Sequence, residues 1–106
     1  MSKINSKKKS SIKSKQIIKR RKVTFSFESN NAKEVILMGE FNKWNPKTHP
    51  MKRDGNGMWT KTLIIPPGRY EYKFLVDGIW AEDPCNDQHR PNCFGTYNSV
   101  LNLASK

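Results

Sequence analysis

The stretch RYEYKFLVDGIW, residues 69–80, decides the fold class of this chain. In RYEYKFLV (69–76) the even positions carry Tyr, Tyr, Phe and Val, whereas the odd positions after Arg69 carry Glu, Lys and Leu. A period of two is typical of a strand with one face in a core. Asp77-Gly78 is the two-residue signal of a type I′ hairpin, and Ile79-Trp80 begins the returning strand. The stretch therefore predicts an antiparallel hairpin on which Lys73 faces away from the core.

Strand signals recur on both sides of this hairpin. They predict strands over residues 23–28, 34–38, 58–65 and 97–103, a short edge piece over 51–53, and long loops over 40–50 and 82–96. Asp54-Gly55-Asn56-Gly57 is a second strong hairpin signal, because Gly and Asn adopt positive φ at little cost. Six or seven short strands without a helical period predict an all-β protein, an antiparallel β-sandwich.

Charge is segregated along the 106 residues, which suffice for one small domain. Residues 1–22 hold ten of the 20 Lys and Arg residues and none of the nine acidic ones, so residues 23–106 carry a net charge of only +1. We predict a disordered basic N-terminal tail over 1–22 and a folded module over 23–106. Such a tail would bind an anionic partner (nucleic acid, an acidic protein or an anionic membrane), or it would serve only as a solubilising arm.

Several classes of protein are disfavoured by the sequence. It has no apolar run near the roughly 20 residues that a membrane helix needs, and no apolar stretch after the basic start that would make a secretory signal. We therefore expect a cytoplasmic location. Cys85 and Cys93 lie eight residues apart with His89 between them. Free thiols are then the expectation and a disulfide remains open, whereas a metal site would need more ligands. No cofactor is indicated.

Three large aromatic residues fall where strands meet loops: Trp44, Trp80 and Phe94. Each would either cap an open end of the sandwich or contribute to a binding surface, whereas Trp59 starts a strand and is predicted to lie in the core. Indole rings flanked by Asn and Lys suit a sugar, because a pyranose lays its C–H face on a ring while its hydroxyls take hydrogen bonds. The same groups can stack nucleobases, so nucleic acid is the rival ligand.

The ordered motifs from about Val23 to Leu103 resemble carbohydrate-binding module family 48. This glycogen-binding type occurs in the beta subunit of AMP-activated protein kinase and beside branching and debranching enzymes, including the isoamylase N-terminal type. The matching pieces are GEFNKW (39–44), PG (67–68) leading to YKF (72–74), VDGIW (76–80) with Asp83-Pro84, and FGTYN (94–98). The resemblance implies an immunoglobulin-like sandwich of the early-set type.

The resemblance also implies a set of glucan-binding residues. Trp44 and Trp80 match the two tryptophans that form the sugar platform, which we expect to lie flat and side by side. Lys73 and Asn98 match residues that bond sugar hydroxyls, Thr96 matches a loop threonine near the sugar, and Phe94 stands where a leucine enters the curve of the glucan. Asn42 and Lys43 neighbour the platform. The alternatives are a solvated strand residue for Lys73 and a side chain bonding local backbone for Asn98.

Catalysis is not expected. Glycoside hydrolysis needs two carboxylates facing each other across the bond, and no pair is evident among the nine acids. We expect a stand-alone, non-catalytic module that binds storage α-1,4-glucan (glycogen or maltooligosaccharide) and would tether a partner to it. The alternative is a nucleic-acid-associated or protein-interaction module acting through the basic tail.

Overall fold

The alternating stretches form strands in the computed structural model, which describes residues 19–104. Eight strands lie in that part of the chain: β1 Arg21–Glu28, β2 Val35–Gly39, β3 Lys52–Arg53, β4 Met58–Ile65, β5 Gly68–Val76, β6 Ile79–Ala81, β7 His89–Pro91 and β8 Tyr97–Leu103. A 3-10 turn, Glu40–Asn42, follows β2. Within the described range, no helix has the length and apolarity of a membrane span.

The strands form two antiparallel sheets. One has three strands in the order β1-β4-β3, and the other has the order β2-β5-β8-β7 with β6 also paired to β5. Strand β5 is central, because β2 pairs along one side of it while β8 and β6 share the other side. The sheets pack face to face, so the predicted antiparallel sandwich is confirmed.

Aromatic side chains from both sheets fill the space between them. The ring centroid of Phe25 on β1 lies 5.0 Å from that of Tyr72 on β5, and Phe27 lies 5.1 Å from Phe74. Trp59 on β4 is buried, as its strand position predicts. Burying a large apolar side chain contributes about 1.5–3 kcal/mol, so this layer fixes which face of β5 points inward.

The predicted hairpins are present. Asp77 and Gly78 have φ of 50° and 83°, the left-handed pair that a type I′ turn requires. The Asp77 carboxylate also accepts hydrogen bonds from the main-chain N–H groups of Lys33 and Glu34. The 54–57 turn closes with the Asp54 N–H bonded to the Met58 carbonyl at 2.9 Å.

Several boundaries differ from the sequence prediction, two of them by one residue: β2 is Val35–Gly39 instead of 34–38, and β5 begins at Gly68. Strand β1 begins at Arg21, so two residues assigned to the tail pair with Ile64 and Ile65 of β4. The predicted loop 82–96 contains β7, which has no alternating apolar pattern and forms because its backbone pairs with β8. The edge piece predicted over 51–53 is a strand only at 52–53. The rest of the tail prediction, residues 1–18, lies outside the described residues.

Close packing of β2 on β5 leaves no room for a side chain at Gly39. A Cβ there would lie 2.8 Å from the Cβ of Tyr72, from the carbonyl oxygen of Glu71 and from the Phe41 ring. The ring of Phe41 therefore covers the backbone where a side chain would stand.

We predict that Gly39→Ala lowers the free energy of unfolding by about 1–3 kcal/mol, the usual cost of overpacking a core. Chemical denaturation followed by tryptophan fluorescence measures this. Gly55→Ala is the matched control, because a Cβ at Gly55 meets no atom within 4 Å and should change stability little. Equal stability of the two variants would contradict this account of β2 packing.

Candidate functional site

The outward face of β5 forms the floor of a cleft. Lys73 alternates away from the buried Tyr72 and Phe74, as predicted, and its register partner Met38 on β2 shares its face. Lys73 is nevertheless only 6% exposed, and Thr96 and the Trp80 ring lie against its ammonium. The predicted outward direction of Lys73 is confirmed. The alternative, that Lys73 is an ordinary solvated strand residue, is wrong.

The Lys73 ammonium has two close neighbours. Its Nζ donates a hydrogen bond to Thr96 Oγ1 at 3.1 Å and lies 5.8 Å from the centre of the Trp80 ring. Among residues 19–104, neither the Arg69–Glu71 ion pair nor the contact of His89 Nδ1 with Glu82 Oε1 involves this lysine. A buried ammonium held by one hydroxyl and one aromatic face retains donors for a further acceptor.

Trp44 and Trp80 are adjacent but not coplanar. Their ring centroids lie 6.3 Å apart and the ring planes meet at 72°. The expectation of two rings lying flat side by side is therefore wrong in this respect, since edge-to-face contact is the arrangement that ring quadrupoles favour. Trp80 is 48% exposed and Trp44 half-buried, so the pair forms two walls at an angle.

The backbone before and at Trp44 aims its ring toward Trp80. Lys43 and Trp44 both have left-handed φ, 56° and 58°, which non-glycine residues seldom adopt. Trp44 N–H donates to the Gly39 carbonyl at 2.9 Å and closes the bend. Such strain is held only where the surroundings fix it, as this hydrogen bond does.

The side chain of Asn42 holds that bend through three hydrogen bonds. Its Oδ1 accepts from Gly39 N–H, and its Nδ2 donates to the Leu37 carbonyl and to His49 Nδ1 at 2.8 Å. Burial lowers the pKa of His49, with Lys61 adding to the effect, so the ring is neutral and able to accept. Asn42 therefore supports the loop that carries Trp44 without lining the cleft, and Lys43 points to solvent.

Asn98 lies on β8 beside the floor and is 9% exposed. Its Nδ2 donates to Glu71 Oε1 at 3.0 Å and its Oδ1 accepts from Asn92 Nδ2 at 3.0 Å. The side chain thus bonds other side chains and not local backbone. This hydrogen bond from Asn98 is the main cause that lowers the pKa of Glu71; the ion pair with Arg69 adds to it and burial opposes it.

Phe94 stands at the rim of the cleft in the loop between β7 and β8. It is 85% exposed, the most exposed large hydrophobic residue in the described chain. Thr96 in the same loop holds Lys73.

These side chains enclose one open cleft of about 720 Å³. It brings together every residue of the predicted set, Trp44, Lys73, Trp80, Phe94, Thr96 and Asn98, and adds Met38, Asn92 and Cys93. Met38 lies in the cleft because the register of β2 against β5 pairs it with Lys73, and that register cannot be read from the sequence alone. The spacing Asn92-x-x-Gly95 is a turn signal that was available in the sequence but was not used.

Asp83, the acid of the Asp83-Pro84 motif, has a structural position. Its carboxylate accepts from the Tyr72 hydroxyl at 2.7 Å and from Cys85 N–H at 2.9 Å. Burial, with this carboxylate, raises the pKa of the Tyr72 hydroxyl, which stays protonated. Asp83 therefore anchors the loop after β6 to the core.

Cys85 and Cys93 are both free and exposed thiols in this structure. Across residues 19–104 no group of three or more His, Cys, Asp or Glu side chains is placed to hold a metal ion.

A family model described as the glycogen recognition site of AMP-activated protein kinase matches residues 21–106. The chain is 36% identical to subunit beta-1 of 5′-AMP-activated protein kinase from Sus scrofa over 75 residues, which are 71% of this chain and 58% of that protein. It is 46% identical to the chloroplastic protein FLOURY ENDOSPERM 6 of Oryza sativa subsp. japonica over 56 residues, 53% of this chain but 10% of that protein. The chain thus spans less than two thirds of the length of each of these relatives.

Among solved structures, the fold is similar to that of a maltogenic amylase from S. marinus. The TM-score is 0.68 at 23% identity, over 86% of this chain and 15% of that chain. At this identity the likeness concerns the fold alone.

The lowered pKa of Glu71 makes the stability of the fold depend on pH, and the sign of that dependence follows from the direction of the shift. Because its pKa is lower in the folded than in the unfolded chain, its charge stabilises the fold above pH 4.5, the ordinary pKa, and this contribution is lost as the pH falls through the folded pKa. We predict that the free energy of unfolding falls less steeply on acidification in Glu71→Gln than in the wild type. Urea titrations at a series of pH values measure it, and Glu28→Gln controls for the change in net charge. Equal slopes for Glu71→Gln and wild type would contradict a lowered pKa of Glu71 in the folded chain.

Proposed function

Since the chain belongs to the family described as the glycogen recognition site of AMP-activated protein kinase, we propose that it binds α-1,4-glucan in the cleft above β5. The observation that carries the proposal is the pair of accessible indole rings, Trp44 and Trp80, 6.3 Å apart at the mouth of a cleft whose floor is a buried lysine. Neither ring is needed for the core between the sheets, which Phe25, Trp59, Tyr72 and Phe74 fill.

The angle between the rings suits a coiled polymer. Each ring offers an apolar face to the C–H side of one glucose unit, and burying apolar area provides the attraction. Successive units of an α-1,4-glucan turn relative to one another, so two walls at 72° match a bend better than a flat surface does.

Polar groups below the rings fix the orientation of the sugar. Lys73 gives one of its three hydrogens to Thr96, and the others are available to sugar hydroxyls. Asn98 uses one amide hydrogen for Glu71 and retains the second. A ligand that satisfies both groups offsets the cost of burying them.

Phe94 supplies an apolar wedge to the same ligand. A side chain that is 85% exposed gains most when a partner covers it, and the concave side of a bent glucan is such a partner. The phenyl ring, larger than the leucine of the kinase-type modules, would fill more of the bend.

The positions of the carboxylates support binding without catalysis. The lining of the cleft, within residues 19–104, contains no Asp or Glu, and hydrolysis of a glycosidic bond needs a pair of them. Glu71 and Asp83 are engaged with Asn98 and Tyr72. The module would bring whatever it is attached to onto glucan.

The cytoplasmic location and the anionic partner of the basic tail stay predictions. The tail residues 1–18 lie outside both the described structure and the match to the family.

Trp44→Ala and Trp80→Ala are each expected to weaken binding of the full chain to maltoheptaose about tenfold or more, as loss of an aromatic anchor does. Calorimetry gives the single-site affinity. Co-sedimentation with glycogen gives the multivalent one, which should fall in parallel.

Ile79→Ala is the matched control for these variants. Ile79 is 72% exposed and adjacent to Trp80 but does not line the cleft, so its removal should leave the affinity unchanged. Wild-type affinity in both tryptophan variants would overturn the proposed function.

A further inference from the structure

The loop that carries Phe94 is built around one side chain, that of Asn92. The main chain closes a turn there, because Asn92 N–H donates to the Thr96 carbonyl at 2.9 Å and Gly95 takes a left-handed φ of 81°. Without further support, five residues with an exposed phenyl ring at their tip would sample many conformations.

The Asn92 carboxamide supplies that support both as an acceptor and as a donor. Its Oδ1 accepts from the main-chain N–H of Phe94 at 2.9 Å and from that of Thr96 at 3.2 Å. Its Nδ2 donates to Thr96 Oγ1 at 2.8 Å and to Asn98 Oδ1 at 3.0 Å. The oxygen orders the loop that holds Phe94, and the nitrogen connects the loop to β8.

The same contacts reach the polar floor of the cleft. Thr96 Oγ1, bonded to Asn92, also accepts from Lys73 Nζ, and Asn98 is bonded to Glu71. The wedge, the lysine and the β8 amide are therefore held in one hydrogen-bonded network whose centre is Asn92.

We propose that Asn92 is a positioning residue for glucan binding, which sets Phe94, Thr96 and Asn98 in their binding arrangement before the ligand arrives. This inference rests on the proposed function and adds a residue to it. The reason is entropic: ordering a loop and its side chain on binding costs affinity, and a loop ordered beforehand avoids that cost. Asparagine is required because the site uses an acceptor and a donor together, which neither Asp nor Ala provides.

The test compares Asn92→Ala and Asn92→Asp with the wild type in the full chain. The first measurement is amide hydrogen exchange at Phe94 and Thr96 without ligand, and the second is affinity for maltoheptaose. In Asn92→Ala we expect both amides to exchange faster and the affinity to fall about five- to tenfold. Asn92→Asp keeps the acceptor oxygen, so both amides should stay protected, while loss of the bond to Asn98 should give an intermediate affinity.

Asn86→Ala is the control for a general loss of stability. Asn86 also bonds across its loop, donating to the Tyr72 hydroxyl and the Val100 carbonyl, but it does not line the cleft. This variant should lose stability while keeping the wild-type affinity and the protection at Phe94 and Thr96.

A double-mutant cycle identifies the route of the effect. If Asn92 acts through the wedge, Asn92→Ala should weaken binding much less in a Phe94→Ala background than in the wild type.

The outcomes separate the two proposals. Wild-type affinity in Asn92→Ala overturns the positioning role and leaves the proposed function intact. Weakened affinity with unchanged protection at Phe94 and Thr96 also overturns it, because Asn92 would then act by direct contact. If the wild type itself does not bind maltoheptaose, the proposed function fails, and the positioning role fails with it.

Discussion

Strand β5 carries the core on one face and the cleft on the other, and this division is set by burial of Tyr72 and Phe74 between the sheets. Their rings contact Phe25 and Phe27 of the opposite sheet, so β5 cannot rotate without losing several kcal/mol of apolar burial. Lys73 is thereby forced outward beneath Trp80 and Thr96, where its ammonium is shielded from water. Every other part of the site is placed relative to that lysine.

Rigid strands and ordered loops divide the work of the site. Strands β2, β5, β6 and β8 supply Met38, Lys73, Trp80 and Asn98, whose positions follow from register. Trp44 and Phe94 come from loops, where an aromatic ring can stand free of the core. Each loop is held by an asparagine that bonds backbone on its own side of the cleft, Asn42 for Trp44 and Asn92 for Phe94. An asparagine side chain thus holds the loop of each of these two aromatic residues.

The sequence predicts the features of this fold that follow from local rules. The alternation over residues 69–76 and the Asp77-Gly78 turn gave the central hairpin and the direction of Lys73 correctly. Strand β7 could not be predicted this way, because His89, Arg90 and Pro91 become a strand only through pairing with β8. The resemblance to a known family predicted the six site residues, and the cleft contains all of them.

What sequence reasoning missed at the site is geometric. Neither the 72° angle between the indole rings nor the left-handed backbone at Lys43 and Trp44 is revealed by periodicity. Asn42 was expected only to neighbour the platform, and its amide proves to hold the loop that carries Trp44. Asn92 was passed over because its importance lies in partners that are near only in the folded chain.

The chain has three tryptophans, and their side-chain N–H signals offer the most direct test of the central claim. Trp44 and Trp80 line the cleft, whereas Trp59 is buried and donates its indole N–H to the Ser29 carbonyl. In a nuclear magnetic resonance titration with maltoheptaose, two indole signals should shift together with one saturation curve while that of Trp59 stays in place. Two unmoved cleft signals at saturating ligand, or a shift confined to Trp59, would contradict the account.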